Sequence, residues 1–493
     1  MTDYGGVGDG RTLNTRAFAA ALGAAHAYFL ASGAPGTVVA DAGTFLSGQI
    51  VLLSGTTLSV GPGAVLLASA NASDYPAAQA QWAFLYSSGA TGIAVTGGGV
   101  VNGNFEQYIG GFEAAWDEFV PVGWPGCSGE CRPRLAMLTD STRITVSNVS
   151  FVGSPDWTFH LLNCSYVHVY NWTQRGDERW PNNDGIDLDS SSHVLVEDSD
   201  IDTADDGVCI KGSTPGGASV NVTVRNCRIR SRSSAVKYGS NCPILMANHT
   251  FEDLYIHDSN RGLALQARDG GIIQDIVFRR IVVNGTRFWP FKWWGCVCLA
   301  APSCAAARAP RRALPLSLLT PPTHPRARAS RAPPSPPPLR RDGGAIYISS
   351  MLRTAADPGT RVQRVLFEDI TAYAENAAVL SGAAPGRALE NITLRRVHYT
   401  VTKRGNYTVS NSSGPTIEYD PHPPGVPGRV NMTGWMPGLY AEGVSGLTLE
   451  DVGIAFDNAV FQSYWGGECI NTTHAGAPVA VTGGSCLPPT PHL

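Results

Sequence analysis

Short runs that alternate apolar and polar residues recur along the chain, and each closes on a polar residue at a fixed place. "ITVSNVSF" places Asn148 there, "VHVYNWT" Asn171, "VLVEDSDI" Asp198, "VTVRNCRI" Asn226 and "TFEDLYI" Asp253. "IVFRRIVV" places Arg280, "VLFEDITA" Asp369, "ITLRRVHY" Arg396 and "LTLEDVGI" Asp451. The first steps are 23, 27, 28, 27 and 27 residues; further along they are 27 and then 55, two turns of the same repeat. Alternation with period two is the signature of strands with one buried face. A fixed period in the twenties built from strands predicts a solenoid whose coils pair in parallel, about 4.8 Å apart. The Leu-x-x-Leu-x-Leu pattern of leucine-rich repeats is absent, so the expected fold is all-β, a right-handed parallel β-helix. Open coil ends invite edge pairing and need covers. "NTRAFAAALGAAHAYFLASG", Asn14–Gly33, reads as an amphipathic helix with Asn14 or Thr15 as N-cap, and serves as the N-terminal plug.

One stretch breaks the pattern. "CVCLAAPSCAAARAPRRALPLSLLTPPTHPRARASRAPPSPPPLRR" is rich in Ala, Pro, Arg and Ser and can build neither a ladder nor a packed core. The chain therefore reads as a single β-helix domain over 1–493, interrupted by a low-complexity, disordered insertion at 296–342. A basic arm for an anionic polymer is the functional alternative. The stretch holds eight Arg and no acid, so the rest of the chain carries 28 basic against 40 acidic residues, a net charge near −12. That balance argues against nucleic acid as a partner. No apolar run of about 18 residues exists, so no membrane span is expected. "MTDYGGVGDG" has neither the basic start nor the apolar core of a leader. Yet twelve Asn-x-Ser/Thr acceptors (Asn71, Asn148, Asn163, Asn171, Asn221, Asn248, Asn284, Asn391, Asn406, Asn411, Asn431 and Asn471) point to the secretory pathway, an extracellular or cell-wall location and a leader outside this sequence. Outside the odd stretch stand eight cysteines, with three close pairs that suggest bridges 127–131, 227–242 and 469–486.

The chemistry concentrates in "NNDGIDLDSSSHVLVEDSDIDTADDGVCIKGS", from Asn182 to Ser213. Asp184 and Asp205 are 21 residues apart, close to one coil, so neighbouring rungs should bring Asp184, Asp205 and Asp206 onto one surface. Crowded like charges cannot all ionise cheaply, so one carboxyl should keep its proton while others stay ionised. Glycoside hydrolysis needs that division of labour. Asp198, Asp200 and Asp202 fit turns, where Asp bonds nearby backbone; Asp187 and Asp189 fit a structural strand.

Several segments together resemble glycoside hydrolase family 28, the polygalacturonases and their relatives. They are "DYGGVGDGRTLNTRAFAAAL", "GTFLSGQIVLLSGTTLSVGPGAVLLAS", "GGGVVNGN", "GSPDWTFHLLNCSYVHVYN", "NNDGID" and "ADDGVCIKGS", in that order. "WWG" at 293–295 also continues at "GGAIYISSM" beyond the odd stretch. The resemblance implies Asp205 as general acid, Asp184 and Asp206 as the pair that holds and deprotonates water, and inversion at the anomeric carbon. It implies that Asn182 orients Asp184 or the sugar, with no metal or organic cofactor. Two motifs depart from the family pattern. Ser234 stands where a Gly-His-Gly histidine is expected, and Ala264, Leu265 and Gln266 stand where Arg-Ile-Lys would grip a uronate carboxylate. Lys237, Arg261 and Arg268 are the nearby cations suited to bind a carboxylate from other positions. Trp157, His160 and Trp180 flank the cluster as sugar-stacking or core residues.

These residues predict a secreted, monomeric, inverting hydrolase of pectic, uronate-containing polysaccharide. A calcium-dependent polysaccharide lyase and a non-catalytic wall-polysaccharide-binding protein are the alternatives. Ultraviolet-absorbing unsaturated products would mark the lyase, and binding without release of reducing ends the third.

Overall fold

A computed structural model describes residues 1–114, 117–125, 131–239, 241–286, 344–350, 360–382, 389–402, 437–457, 469–474 and 479–487. The expected insertion at 296–342 and the junction at 293–295 lie outside the described residues, as does Cys127.

Among the described residues the strands form one sheet of 23, one of 12 and an antiparallel pair, Ile109–Glu113 with Glu118–Pro121. The two large sheets pair in parallel throughout, as the repeat predicts. The larger one is two walls. Its long strand Ile272–Thr286 pairs with Leu245–Glu252 along its first half and with Tyr255–Ser259 along its second. The chain turns the corner between these walls at Arg280, in the left-handed region. All nine polar residues that close the sequence repeat share this conformation, with φ between 47° and 55°. Asn and Asp tolerate it best, which explains their recurrence. At successive corners the side chains bond one another: Asn171 Nδ2 donates to Asn148 Oδ1 at 2.5 Å, Arg280 Nε to Asp253 at 2.8 Å and Arg396 Nε to Asp369 at 2.6 Å. Six of the sequon asparagines, Asn148, Asn163, Asn171, Asn221, Asn248 and Asn391, occupy left-handed corners, so backbone geometry alone accounts for Asn there.

Rung offsets reproduce the sequence steps. One inward column runs Val146, Val169, Val196, Val224, Phe251, Phe278, Phe367, Leu394 and Leu449, each opposite the next. Phe251, Phe278 and Phe367 stack with ring centroids 5.0 Å apart, the spacing of the rungs themselves. Ile276 pairs with Val365, an offset of 89 residues where the flanking rungs are 27 apart, so the chain leaves one coil after Thr286 and resumes the next near Gly344.

Helix α1 (Thr15–Ser32) covers the first coil, burying Ala17, Phe18, Ala21, Leu22 and Ala25. Its approach is close: a Cβ on Gly36 would lie 2.3 Å from the Ala25 carbonyl oxygen. Neither expected cap acts on the helix. The Asn14 side chain accepts from the Val7 amide and donates to the Val7, Thr12 and Leu46 carbonyls, while Thr15 Oγ1 accepts from Gly48. No described helix is long and apolar enough to cross a membrane.

Of the expected bridges, Cys469–Cys486 forms. The 227–242 bridge does not: Cys227 and Cys242 are buried free thiols, as are Cys164 and Cys209. Fifteen residues are about half a coil, which sets the two on different walls. The Cys227 thiol faces the Arg225 carbonyl, and the Cys242 thiol faces that of Gln266. Apolar burial and inward carbonyls satisfy them where a bridge was expected.

The Phe stack yields a test. Phe278 is fully buried between two rings, so Phe278→Ala should cost about 3–5 kcal/mol, read as a lower denaturation midpoint. An unchanged midpoint would mean that the column does not carry the core.

Candidate active site

The smaller sheet carries the acid cluster. Its relevant strands are β1 (Phe159–Leu162), β2 (Ile186–Asp189), β3 (Val208–Lys211), β4 (Ser234–Tyr238), β5 (Arg261–Ala267) and β6 (Ile346–Ser350). Alternation turns Ile186, Leu188, Val208 and Ile210 into the core. The opposite face then carries two columns. One runs His160, Asp187, Cys209, Lys237, Ala264, Tyr347; the other holds Asp189 opposite Lys211.

The catalytic candidates stand just before β2 and β3. Gly185 N donates to the Asp206 carbonyl at 2.8 Å and Ile186 N to that of Gly207 at 2.9 Å, so Asp184 lies opposite Asp206 rather than Asp205. Two glycines permit this approach. A Cβ on Gly185 would sit 2.3 Å from the Gly207 carbonyl oxygen, and one on Gly207 2.6 Å from that of Ala235. Each Asp-Gly step therefore presses one rung onto the next. The carboxylate oxygens of Asp184 and Asp206 and the Cys209 thiol fall within 4.8 Å of one another. Asp205 is half-buried beside them, one of its oxygens accepting from the Asp206 amide at 2.9 Å.

Two lysines divide these carboxyls. Lys237 Nζ lies 2.6 Å from Asp206 Oδ2, and Ser233 Oγ donates to Oδ1 at 2.8 Å. Burial would raise the Asp206 carboxyl, but Lys237, then Arg261 and Lys211, outweigh it and hold it below the usual range. Lys211 Nζ is 3.2 Å from Asp184 and 2.8 Å from Asp187, an ion contact shared between the two. Burial still wins at Asp184, whose carboxyl is raised. Asp187 is also pushed up, by burial first, with Lys211 opposing. Ion pairs among the described residues reach Asp184, Asp187 and Asp206 and leave Asp205 out. Burial, then the charges of Asp184 and Asp206, push the Asp205 carboxyl well above the carboxylate range. A divalent cation between Asp184, Asp206 and Cys209 would meet two ammonium groups already at those oxygens, and burial raises the Cys209 thiol.

The other sequence candidates divide in the same way. Asn182 sits at φ 58° with its Oδ1 accepting from Arg132 at 2.9 Å, beside the cluster. Asn183 is internal, bonded to Thr203 and Gln174. Lys237 and Arg261 are brought to the cluster, but their charges are engaged there: Lys237 on Asp206, and Arg261 through Ser233. Arg268 follows the C-terminal end of β5, beside Cys242 and Asp269. Ser234 is fully buried where the histidine was expected. Trp180 is fully buried, bonding the Pro155 carbonyl and packing on Phe105, so it is core rather than a sugar platform. Trp157 is partly exposed, with Lys211 Nζ 3.5 Å and the Arg134 guanidinium 4.4 Å from its ring centroid. Lys211 was missed by the sequence reading. The alternation in "GVCIKGS" is the signal that turns it outward, beside Asp189.

His160 lies on this face one rung before Asp187, 3.4 Å from Asp189 and 2.9 Å from Arg134. Burial, then Arg134, lower its pKa to about 4, while bonds from His160 and Ser213 overcome burial and hold Asp189 at about 2. Because His160 stays neutral in the fold, the protein loses stability as pH falls from the ordinary imidazole value of 6.5 to about 4, where only the unfolded chain takes up the proton. Asp189 contributes stability above the unfolded value of 3.8 and loses it as pH falls through about 2. Acidification from pH 6.5 to 4 should therefore lower unfolding free energy by about 3 kcal/mol through His160, and His160→Gln should flatten that limb in denaturation. Equal slopes in both proteins would contradict it.

A family model, "Glycosyl hydrolases family 28", matches residues 32–289, a span that holds every residue of the cluster. A probable polygalacturonase of Vitis vinifera is 30% identical over 315 residues, 59% of this chain and 61% of that protein. An endo-polygalacturonase of Pectobacterium carotovorum subsp. carotovorum is 23% identical over 253 residues, 49% of this chain and 62% of that protein. The chain thus spans only about three fifths of the length of these curated relatives. Among solved structures, an exopolygalacturonase from Thermotoga maritima matches with a TM-score of 0.61 at 18% identity, over 92% of this chain and 90% of its own, which establishes the shared fold. Taken with the parallel β-helix and its carboxyl cluster, these matches show that the chain belongs to glycosyl hydrolase family 28.

Proposed function

We propose that this chain is a secreted, inverting glycoside hydrolase that cleaves pectic polysaccharide, with Asp205 as general acid. The observation that carries the reading is the uneven sharing of cations among three adjacent carboxyls. Asp205 lacks an ion-pair partner among the described residues and is pushed up, while Lys237 holds Asp206 down. Proton affinity then falls from Asp205 through Asp184 to Asp206, the order an acid beside a water-binding pair requires. Asp205 gives its proton to the glycosidic oxygen as the bond to the anomeric carbon breaks. A water placed between Asp184 and Asp206, whose oxygens lie within 4.8 Å, donates a hydrogen bond to each and loses its proton chiefly to Asp184. Asp206, ionised by Lys237, orients that water. Attack from the face opposite the leaving group inverts the anomeric centre. Asn182, fixed by Arg132, stands where it can bond the sugar or Asp184. The names of the polygalacturonases to which the chain is similar support the pectic class.

Asp205→Asn should preserve the fold and lower kcat by roughly 10²–10⁴-fold, the usual worth of general acid catalysis. Turnover at the parental rate would remove Asp205 from this role. Because the acid must be protonated, activity should be highest in mild acid and fall as pH rises through the raised Asp205 value. NMR of the first-formed anomer tests inversion, and retention would overturn it. Unsaturated products absorbing in the ultraviolet would show a lyase.

A further inference from the structure

In the stretch "SRSSAVKYGSN", where the family motifs change, the serines hold the Asp205–Asp206 pair. Ser231 Oγ donates to the Asp205 carbonyl at 2.6 Å and accepts from the Ser233 amide at 2.9 Å. The Ser234 carbonyl accepts from Gly207 N at 2.8 Å. Between these two main-chain ties, Ser233 turns its side chain to the carboxylate, and its Oγ donates to Asp206 Oδ1 at 2.8 Å. Arg261 Nη2 donates to the same Oγ at 2.8 Å, and the Arg261 amide to the Ser233 carbonyl at 2.8 Å. The neighbouring hydroxyl shows the contrast. Ser233 and Ser234 are both buried, but Ser234 Oγ has no hydrogen-bond partner among the described residues.

Chemistry fixes the direction of this chain of bonds. An arginine side chain only donates, so Ser233 Oγ accepts from Arg261, and its single hydrogen is left for Asp206. The acceptor is a carboxylate held ionised, which strengthens the bond. Lys237 Nζ lies 2.6 Å from the other oxygen, Oδ2. An ammonium on a flexible stem fixes one oxygen and leaves the carboxylate able to pivot about it, because the last torsion of Asp is broad. A hydroxyl on Oδ1, itself held by a planar guanidinium, removes that pivot. Each carboxylate oxygen can accept two bonds, so the water between Asp184 and Asp206 still finds an acceptor.

We propose that Ser233 is a positioning residue of the reaction: oriented by Arg261, it fixes the plane of Asp206 so that this carboxylate aligns the attacking water. This rests on the glycosidase reading of the same cluster. A misaligned water leaves sugar binding untouched, so the effect falls on kcat rather than KM.

The test measures reducing ends released by the intact protein from de-esterified and from fully methyl-esterified homogalacturonan, and compares all variants on the polymer cleaved faster. Ser233→Ala should lower kcat roughly ten- to hundredfold, the usual worth of a hydrogen bond to a charged group, with KM within about twofold. Ser234→Ala, which removes the adjacent buried hydroxyl, should keep the parental kcat. Arg261→Lys keeps the cation but not the planar fork, and should lower kcat about threefold or more. Combined with Ser233→Ala it should add no further loss, since both act through one bond. Equal kcat in Ser233→Ala and Ser234→Ala overturns the inference, as do losses that multiply in the double variant. If Ser233→Ala does not fold, Arg261→Lys decides alone: a loss of kcat at unchanged KM supports the inference, and a parental kcat overturns it. Asp205→Asn, measured alongside, keeps two failures apart. An inactive Asp205→Asn beside a fully active Ser233→Ala removes this inference and leaves the glycosidase reading standing. Parental turnover by Asp205→Asn, or no reducing ends from either polymer with the parental protein, removes both together.

Discussion

Parallel pairing in strict register is the constraint on which the rest depends. A solenoid fixes which residues share a column, and here chemistry is decided column by column. Two Asp-Gly steps show how tightly. The glycines at 185 and 207 let carbonyls of the next rung come within the space a Cβ would fill. Asp184 and Asp206 are thereby held opposite one another by main-chain hydrogen bonds. Side-chain flexibility has little part in bringing them together, so the arrangement exists before any substrate arrives. Preorganisation of this kind is what makes fixed charges effective in catalysis.

The cost of that register is buried like charge. Four carboxyls in adjacent columns would repel one another and lose their hydration. Lys211 and Lys237 offset this from β3 and β4, and they do so unequally. Lys237 gives itself to one carboxylate, whereas Lys211 is divided between two. Among the described residues neither makes an ion pair with Asp205, where burial and the neighbouring carboxylates outweigh their charge. Neutralisation that is strong at Asp206 and weak at Asp205 gives one residue type unequal proton affinities. Removing either lysine would leave an uncompensated buried aspartate, so these side chains are bound up with stability as well as proton affinity.

Much of this was legible in the sequence, because a solenoid writes its geometry periodically. The nine repeat-closing residues, from Asn148 to Asp451, all proved to be left-handed corners. The rung offsets followed, and with them the convergence of Asp184 with the Asp205–Asp206 pair. What stayed hidden was mostly contact-level. A count of 21 residues suggests Asp184 opposite Asp205, and only the backbone bonds reveal the shift to Asp206. Lys237 and Arg261 could be named as cations near the site, but not as cations already engaged. Arg268 lies close to them in sequence yet belongs to the far end of β5. For Trp180 sugar stacking and core packing both stayed open, because local sequence does not report the second aromatic cluster, with Tyr75, Tyr108 and Trp124, that encloses it. Cys227 and Cys242 looked like a bridge because spacing alone ignores that half a coil separates two walls.

The same reasoning links the two departures from the family motifs. Lys237 and Ala264 are opposite one another in a single column. A long cation on β4 is compatible with a methyl group on β5, since two cations at about 4.8 Å would repel. Ser234 on β4, fully buried, likewise leaves no titratable group where a histidine was expected. Of the two positions in that column, β4 therefore holds the cation, Lys237, paired with Asp206 Oδ2 at 2.6 Å, and β5 holds a methyl group.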